Sequence, residues 1–336
     1  MRMRRGFAVF LGICLLMTGC AWNAGPKKFE KAYFTAFDTY TTITGYASSQ
    51  QEWDAVADGL YDQLWEYHQL FDIYNDYEGV SNLKTVNDNA GIAPVQVDAQ
   101  IIALLLDCKA YYEATHGLVN AAMGSVLRLW HEARTAGLED PANARLPDAE
   151  ALAEAAKHTS WDTVIIDAEN STVYLADPAQ SLDVGAIAKG WATQRVAETA
   201  PEGVLLSVGG NICATGAKPD GSAWNVGVQD PDNASGYLST CKIGKGAMVT
   251  SGDYQRYYTV DGAKYHHIIN PKTGYPAEYW RSVTILCGDS GLADMLSTAL
   301  FLLPLEEGKT LLKQYSAEAM WVDSQGNIFK TDGFGG

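Results

Sequence analysis

Two stretches near the C-terminus decide how this chain is interpreted. Residues 250–256 read Thr-Ser-Gly-Asp-Tyr-Gln-Arg, and residues 266–276 read His-His-Ile-Ile-Asn-Pro-Lys-Thr-Gly-Tyr-Pro. Alternating runs at 257–260 and 265–269 flank Asp261-Gly262, a pair that predicts the tight turn of a β-hairpin because both positions tolerate positive φ. We therefore expect a strand that carries His266 and His267, with the two side chains on opposite faces. Hydroxyls, an acid, an arginine and two histidines between turns indicate a functional site.

The rest of the chain mixes hairpins with helices and shows no regular βαβ alternation. Residues 163–167 and 172–176 alternate as a second hairpin, while residues 79–93 read as a loop. Apolar residues recur at helical spacing in 51–68, and further helices are predicted at 99–115, 121–132, 186–199 and 292–303. The pattern predicts an α+β fold of mixed or antiparallel sheets with packed helices, in two closely joined subdomains.

The N-terminus is typical of a bacterial lipoprotein signal. A basic segment at 1–5 precedes an apolar run at 7–17 and Thr18-Gly19-Cys20, and the run is too short to span a membrane in the mature protein. The expected organisation is a signal peptide at 1–19, a tether at 20–30 that begins with lipid-modified Cys20, and one domain at 31–336. The protein would then be anchored to a membrane on its extracytoplasmic face. An ordinary signal peptide is the alternative.

Composition excludes some classes of function. The formal net charge is −16, and cleavage after residue 19 makes it −19, because three arginines and no acids are lost. Nucleic acid is therefore not an expected partner, since phosphate contacts need clustered Lys and Arg. Four cysteines remain after Cys20, without a Cys-x-x-Cys pair, which excludes a zinc ribbon. Buried free thiols are the default expectation, and disulfides among Cys108, Cys213, Cys241 and Cys287 stay open.

Residues 182–191, Leu-Asp-Val-Gly-Ala-Ile-Ala-Lys-Gly-Trp, lead into a helix. In a purely structural interpretation Asp183 caps the helix and Gly190 allows another element to pack closely. In a functional interpretation, free N–H groups and Lys189 bind an anion. Residues 208–212 end a strand with Gly209-Gly210, a weaker signal that a β-bulge explains equally well.

A helix near the C-terminus places Asp294 and Thr298 four residues apart, hence on one face. A carboxylate beside a hydroxyl offers hard oxygen donors that suit Mg²⁺, which keeps waters and binds substrate phosphates with few protein ligands. The alternative is that Asp294 favours the helix dipole in the first turn and Thr298 is partly buried.

Taken in order, these segments resemble the ApbE family, the FAD:protein FMN transferases. The most specific blocks are residues 182–190, 251–254 and 266–274, and the resemblance covers nearly the whole mature chain. It implies an enzyme that binds FAD, cleaves its pyrophosphate with Mg²⁺ and moves FMN to a threonine or serine hydroxyl of an acceptor flavoprotein, releasing AMP. The implied acceptor is a subunit of a membrane-associated redox system.

The resemblance also implies roles for individual residues. His267 is the candidate catalytic base, and Ser251 and Asp253 are expected to shape the same cavity. The implied Mg²⁺ ligands are Asp294, Thr298 and the backbone carbonyl of Ala186. The implied FAD-binding residues are Phe37, Tyr74, Leu118, Val119, Asn120, Asp183, Lys189 and Ile269.

Two departures from the family pattern bear on the flavin end of the site. Asn120 stands where relatives usually carry Asp, which makes a direct metal or catalytic role there doubtful, and Phe37-Asp38-Thr39 stands where many have Met-Gly-Thr. Two alternatives share these residues. One is an FAD pyrophosphatase that gives FMN and AMP, and the other is a lipoprotein that binds flavin without catalysis.

Overall fold

The computed structural model describes residues 25–335, so the predicted signal peptide and Cys20 lie outside the described residues. The strands are β1 Lys27–Tyr33, β2 Thr41–Ala47, β3 Val95–Gln96, β4 Val164–Asp167, β5 Thr172–Leu175, β6 Leu205–Val208, β7 Asn211–Ala214, β8 Trp224–Asp230, β9 Asn233–Ile243, β10 Gly246–Gly252, β11 Tyr257–Val260, β12 Ala263–His266, β13 Ser282–Cys287, β14 Ala317–Val322 and β15 Ile328–Lys330. The helices are α1 Gln50–Phe71, α2 Leu83–Asp88, α3 Ala99–Ala114, α4 Gly124–Glu139, α5 Ala149–Ala155, α6 Ala188–Thr199, α7 Ser290–Phe301 and α8 Leu305–Leu312. Within 25–335, no helix has the length and apolar character to cross a membrane.

An antiparallel sheet of eight strands, in the order β1-β2-β6-β7-β10-β13-β14-β15, forms the centre of the fold. Side chains alternate across it. Val249 and Ile285 face a large core that includes residues of α1, α6 and α7, while Met248 faces a second core made with the β8–β9 hairpin. The expected α+β class is confirmed. Strand β1 begins at Lys27, so residues 27–30 of the predicted tether lie in the sheet.

A third apolar cluster joins α4 and α5 to the β11–β12 hairpin, which lies outside the central sheet. Trp130 of α4 donates from Nε1 to the carbonyl of Gly274 at 2.8 Å, and the Tyr258 hydroxyl donates to the carbonyl of Arg145 at 3.1 Å. The first contact attaches α4 to the loop after the hairpin, and the second attaches β11 to the segment between α4 and α5. The large core and this cluster therefore supply opposite walls for the space between them.

The predicted hairpin is present, with one correction. Its turn has φ of 49° at Asp261 and 80° at Gly262, as expected for an Asp-Gly turn. Strand β12 ends at His266, however, so the prediction that His267 lies on the strand is wrong. The His267 N–H still donates to the carbonyl of Arg256 at 3.1 Å, opposite it in the register of the hairpin, and the pairing ends there.

The prediction of a loop across 79–93 is also wrong in part, because α2 lies inside it. Asn82 accepts from the Thr85 N–H at 3.1 Å, and the Thr85 hydroxyl accepts from the Asn82 N–H at 3.3 Å. This reciprocal cap stabilises a helix too short to show apolar periodicity.

The four cysteines in the described part of the chain are free thiols. Cys213 and Cys287 both lie opposite Ala247, on the strands that flank β10. Two strand spacings, about 10 Å, separate them, which exceeds the reach of a disulfide.

Candidate active site

A cavity of about 460 Å³ lies between the central sheet with its helices and the α4–hairpin unit. It collects side chains from eight separate parts of the chain. All twelve predicted catalytic, FAD-binding and metal-binding residues line it, and so does Ser251: Phe37, Tyr74, Leu118, Val119, Asn120, Asp183, Ala186, Lys189, His267, Ile269, Asp294 and Thr298. Asp253 does not line the cavity; its Oδ2 accepts from Arg281 Nε at 2.8 Å instead.

Asp294 is a buried carboxylate held by the packing of α7 against α6. Its Oδ2 accepts from the N–H of Gly190 at 2.7 Å. A Cβ at Gly190 would lie 2.4 Å from Asp294 Cβ and 2.4 Å from the carbonyl oxygen of Ser290. The predicted close approach at Gly190 is thus present, and its effect is to let a backbone N–H reach the carboxylate.

No cationic side chain within residues 25–335 forms an ion pair with Asp294. Burial raises the pKa of its carboxyl group above 3.8, while the charge of Lys189 and the Gly190 N–H lower it. The amide of Asn211 also lowers this pKa electrostatically, although its buried Nδ2 makes no hydrogen bond of normal geometry. A buried carboxylate without a counter-ion favours a bound cation.

The donor set fits a hard cation better than a soft one. In the described part of the chain, no group of three or more His, Cys, Asp and Glu side chains could hold a metal. Asp294, the Thr298 hydroxyl and the Ala186 carbonyl border one cavity, and they are oxygen donors of the kind Mg²⁺ takes together with waters and phosphates.

The two adjacent histidines have different roles. His266 Nε2 lies 2.8 Å from the carbonyl of Ala277, which can only accept, so Nε2 carries the proton; Nδ1 then accepts from the Ile268 N–H at 3.2 Å. Burial lowers the pKa of this histidine. Both ring nitrogens are used, so His266 is a neutral structural residue.

His267 keeps one nitrogen available. Its Nδ1 lies 3.2 Å from the carbonyl of Arg256 and must donate to it, which leaves Nε2 unprotonated. The His267 ring is accessible to solvent from the cavity, although protein atoms surround it closely. This crowding, with the charges of Arg256 and Lys189, lowers the pKa of His267 below 6.5. A neutral imidazole with a free Nε2 can accept a proton at neutral pH.

Asp183 and Asn120 act on the backbone of the cavity wall. Asp183 does not cap α6, which begins at Ala188 without a side-chain cap; its Oδ1 accepts from the Gly185 N–H at 2.8 Å. Burial raises its pKa. Asn120 accepts from the Ala122 N–H at 2.9 Å and donates to the carbonyl of Thr159 at 3.0 Å. Its amide is occupied, which agrees with the doubt about a catalytic role.

Sequence reasoning missed a group that holds the part of the cavity wall around Phe37 and Tyr74. His68 is buried and accepts at Nδ1 from the Phe37 N–H at 3.2 Å. Its Nε2 lies 3.2 Å from the Tyr77 hydroxyl, which donates to Asp72 at 2.7 Å. Asp72 also accepts from the Tyr74 N–H at 2.6 Å. The spacing of His68 from Leu64, four residues, was the available signal.

Phe37 and Asp38 form a strained corner of the same wall. Their φ angles are 56° and 51°, in the left-handed region that non-glycine residues seldom adopt. Such strain persists only where surrounding contacts hold it, and the hydrogen bond from the Phe37 N–H to His68 is one of these contacts.

Comparisons with known proteins agree with the arrangement. The model of the ApbE family matches residues 37–321. An FAD:protein FMN transferase of Treponema pallidum is 35% identical over 333 residues, covering 92% of this chain and 89% of that protein. One of Klebsiella pneumoniae is 31% identical over 267 residues, covering 78% and 79%. The crystal structure of the ApbE protein from Thermotoga maritima superposes with a TM-score of 0.79 at 30% identity, covering 92% of this chain and 98% of that chain.

Proposed function

This chain belongs to the ApbE family, and we propose that it catalyses the reaction for which its curated relatives are named, the transfer of FMN from FAD to a protein. In detail, the proposed reaction attaches FMN to a threonine or serine hydroxyl of an acceptor flavoprotein and releases AMP, with Mg²⁺ as cofactor. One observation carries the proposal: a single cavity unites a buried unpaired carboxylate, a neutral histidine with a free nitrogen and unpaired cationic side chains.

The chemistry makes specific demands. The diphosphate of FAD is anionic, and breaking it requires the scissile phosphate to be positioned and its charge neutralised. Asp294, Thr298 and the Ala186 carbonyl would hold the Mg²⁺, which supplies charge neutralisation when bound. Lys189 lines the same cavity without an ion pair among the described residues. Its ammonium group provides a second positive charge for a phosphate oxygen.

His267 is proposed as the base for the acceptor hydroxyl. The unprotonated Nε2 accepts the hydroxyl proton while the hydroxyl oxygen attacks the phosphorus of the FMN half, and the oxygen that leaves stays on AMP. The carbonyl of Arg256 fixes the tautomer, because it holds the proton on Nδ1. The histidine is therefore oriented before the substrates bind. Such orientation in advance supplies much of the rate increase that a positioned base gives.

The Tyr74–His131 pair is proposed to contact the flavin end of FAD. The two rings stack with centroids 4.7 Å apart and planes 25° apart, and 49% of Tyr74 is exposed. An exposed aromatic face on the cavity wall suits a planar ring system.

The cellular setting completes the proposal. Residues 1–24 lie outside the described residues, and the lipoprotein signal with Cys20 remains a prediction. We propose that the mature protein is lipid-anchored on the extracytoplasmic face of the cell membrane, where its acceptor is a subunit of a membrane-associated redox system. Mass spectrometry of the membrane fraction should detect a lipid on Cys20, and an unmodified mature N-terminus would contradict the anchor.

The test of the reaction combines the protein, FAD, Mg²⁺ and an acceptor flavoprotein. The expected result is a fluorescent acceptor band that survives denaturing electrophoresis and a mass increase equal to one FMN. Asp294→Ala should abolish the band. FAD binding without any band, with a proven acceptor, would leave the FAD pyrophosphatase or the flavin-binding lipoprotein and would overturn the proposal.

A further inference from the structure

Two arginines on the cavity wall have no acidic partner. Arg134 projects from α4 and Arg256 lies between β10 and β11, and both line the cavity. Neither makes an ion pair with any acid in residues 25–335, whereas Arg128, Arg195 and Arg281 all do. The chain has 40 acidic and 24 basic side chains, so acids are abundant. Two unpaired arginines on one wall are therefore placed for an anion that the chain itself does not supply.

Arg134 and Arg256 carry like charges and line the same cavity. Burial, and then the charge of Arg256, lower the pKa of Arg134. Like charges brought together at a partly buried site cost free energy unless an anion lies between them or beside them. This cost is the physical signature of a ligand site, because binding an oxyanion removes it.

Arg134 is also held in place. Its Nη2 donates to His131 Nδ1 at 3.1 Å, and the Tyr74 hydroxyl shares that nitrogen at 3.3 Å. The remaining guanidinium N–H groups stay available for a fork-like contact with a carboxylate or phosphate. Among residues 25–335, the Arg256 side chain makes one hydrogen bond, a long one of 3.5 Å from Nη2 to the carbonyl of Phe37.

The nearest acid, Asp183, does not neutralise the pair. It affects the pKa of Arg134 through its charge, but its Oδ1 is occupied by the Gly185 N–H, and burial raises its own pKa. Among residues 25–335, no ion pair joins Asp183 to Arg134 or Arg256. The positive potential of the two arginines therefore remains for an incoming group.

We infer that Arg134 and Arg256 form an oxyanion site for an acidic side chain of the acceptor polypeptide, close to the hydroxyl that receives FMN; this rests on the proposed function. The proposed site for the diphosphate of FAD uses Lys189, Asp294 and Thr298, so this diphosphate already has binding partners. Arg256 is exposed and Arg134 is partly exposed, which suits the substrate that arrives from solution after FAD. The carbonyl of Arg256 also accepts from His267 Nδ1, so this arginine lies beside the proposed base.

The test is a double-mutant cycle between this chain and an acceptor flavoprotein. Each Asp and Glu near the target hydroxyl of the acceptor is replaced in turn by its amide, and KM for the acceptor is measured at saturating FAD. Arg134→Ala should raise KM about tenfold, and Arg134→Lys should raise it less. One of the acid-to-amide substitutions in the acceptor should raise KM by a similar factor when the enzyme is wild type. The same substitution should have little further effect on KM when the enzyme is Arg134→Ala. Arg128→Ala, on the same helix but outside the cavity, is the matched control and should behave as the wild type.

The outcomes separate the two proposals. If Arg134→Ala weakens FAD binding and leaves KM for the acceptor unchanged, the anion is a flavin phosphate and the inference is overturned. Equal KM values for every acid and amide acceptor also overturn it, because a structural role for Arg134 predicts no such coupling. If the wild type attaches no FMN to any acceptor, the proposed function fails instead.

Discussion

Replacing Gly190 by alanine tests the contact that places Asp294 in the cavity. The added Cβ would lie 2.4 Å from Asp294 Cβ and 2.4 Å from the Ser290 carbonyl oxygen, whereas ordinary contacts begin near 3.4 Å. Helices α6 and α7 must then separate by about 1 Å. Overpacking of this kind costs about 1–3 kcal/mol, and alanine in a helix returns about 0.5–1 kcal/mol. We expect the free energy of unfolding to fall by about 1–2 kcal/mol.

The matched control is Gly59→Ala. Gly59 lies within α1, and a Cβ there meets nothing within 4 Å. This variant should be more stable than the wild type by about 0.5–1 kcal/mol. Urea unfolding measures both variants, and the Mg²⁺ concentration for half-maximal transfer reports on Asp294. A Gly190→Ala protein as stable as Gly59→Ala, with unchanged Mg²⁺ dependence, would refute the argument that this glycine controls the carboxylate.

Three further predictions concern the histidines and the metal site. His267→Ala should lower kcat for transfer by a factor of about 10²–10⁴, while fluorescence titration should show that FAD binding is retained. His266→Ala should instead lower the free energy of unfolding by about 2–4 kcal/mol, because the Ala277 carbonyl and the Ile268 N–H lose their partners. The opposite pattern would reverse the two assignments. Burial, and then the charge of Arg256, lower the pKa of His267. The acid limb of kcat/KM should therefore lie below pH 6.5, and Arg256→Gln should move it upward. An acid limb at or above pH 6.5 in the wild type would contradict this. Asp294→Asn should be at least as stable as the wild type at pH 7 without divalent cations. Burial raises the pKa of Asp294, so the charged carboxylate lowers the stability of the folded protein once the pH exceeds this raised pKa. Added Mg²⁺ should raise the melting temperature of the wild type but not that of Asp294→Asn.

The sequence was sufficient where local rules act. Asp261-Gly262 predicted its hairpin because few dipeptides adopt two positive φ angles. Asp294 and Thr298 were placed on one helix face by their spacing, and Gly190 was recognised as a close-packing position. These features depend on a few neighbouring residues, so periodicity and turn chemistry are enough to find them.

Other features depend on contacts between distant parts of the chain. The orientation of the His267 ring depends on the carbonyl of Arg256, eleven residues earlier, which accepts from both its N–H and its Nδ1. The burial of His68 depends on the Phe37 loop, thirty-one residues away. The missing acid partner of Arg134 is visible only when every element around the cavity is in place. Strand β1 lies at the sheet edge and carries charged residues, so its alternation is weak in sequence.

The most direct test of the account is a product balance for the reaction with FAD and Mg²⁺, run with and without an acceptor flavoprotein. Free FMN, AMP and protein-bound FMN are measured together over time. The account predicts one AMP released for each FMN attached to the acceptor, little free FMN, and slow FAD cleavage when the acceptor is left out. Equal release of AMP and free FMN at the same rate with and without acceptor would contradict it, because the chain would then be an FAD pyrophosphatase.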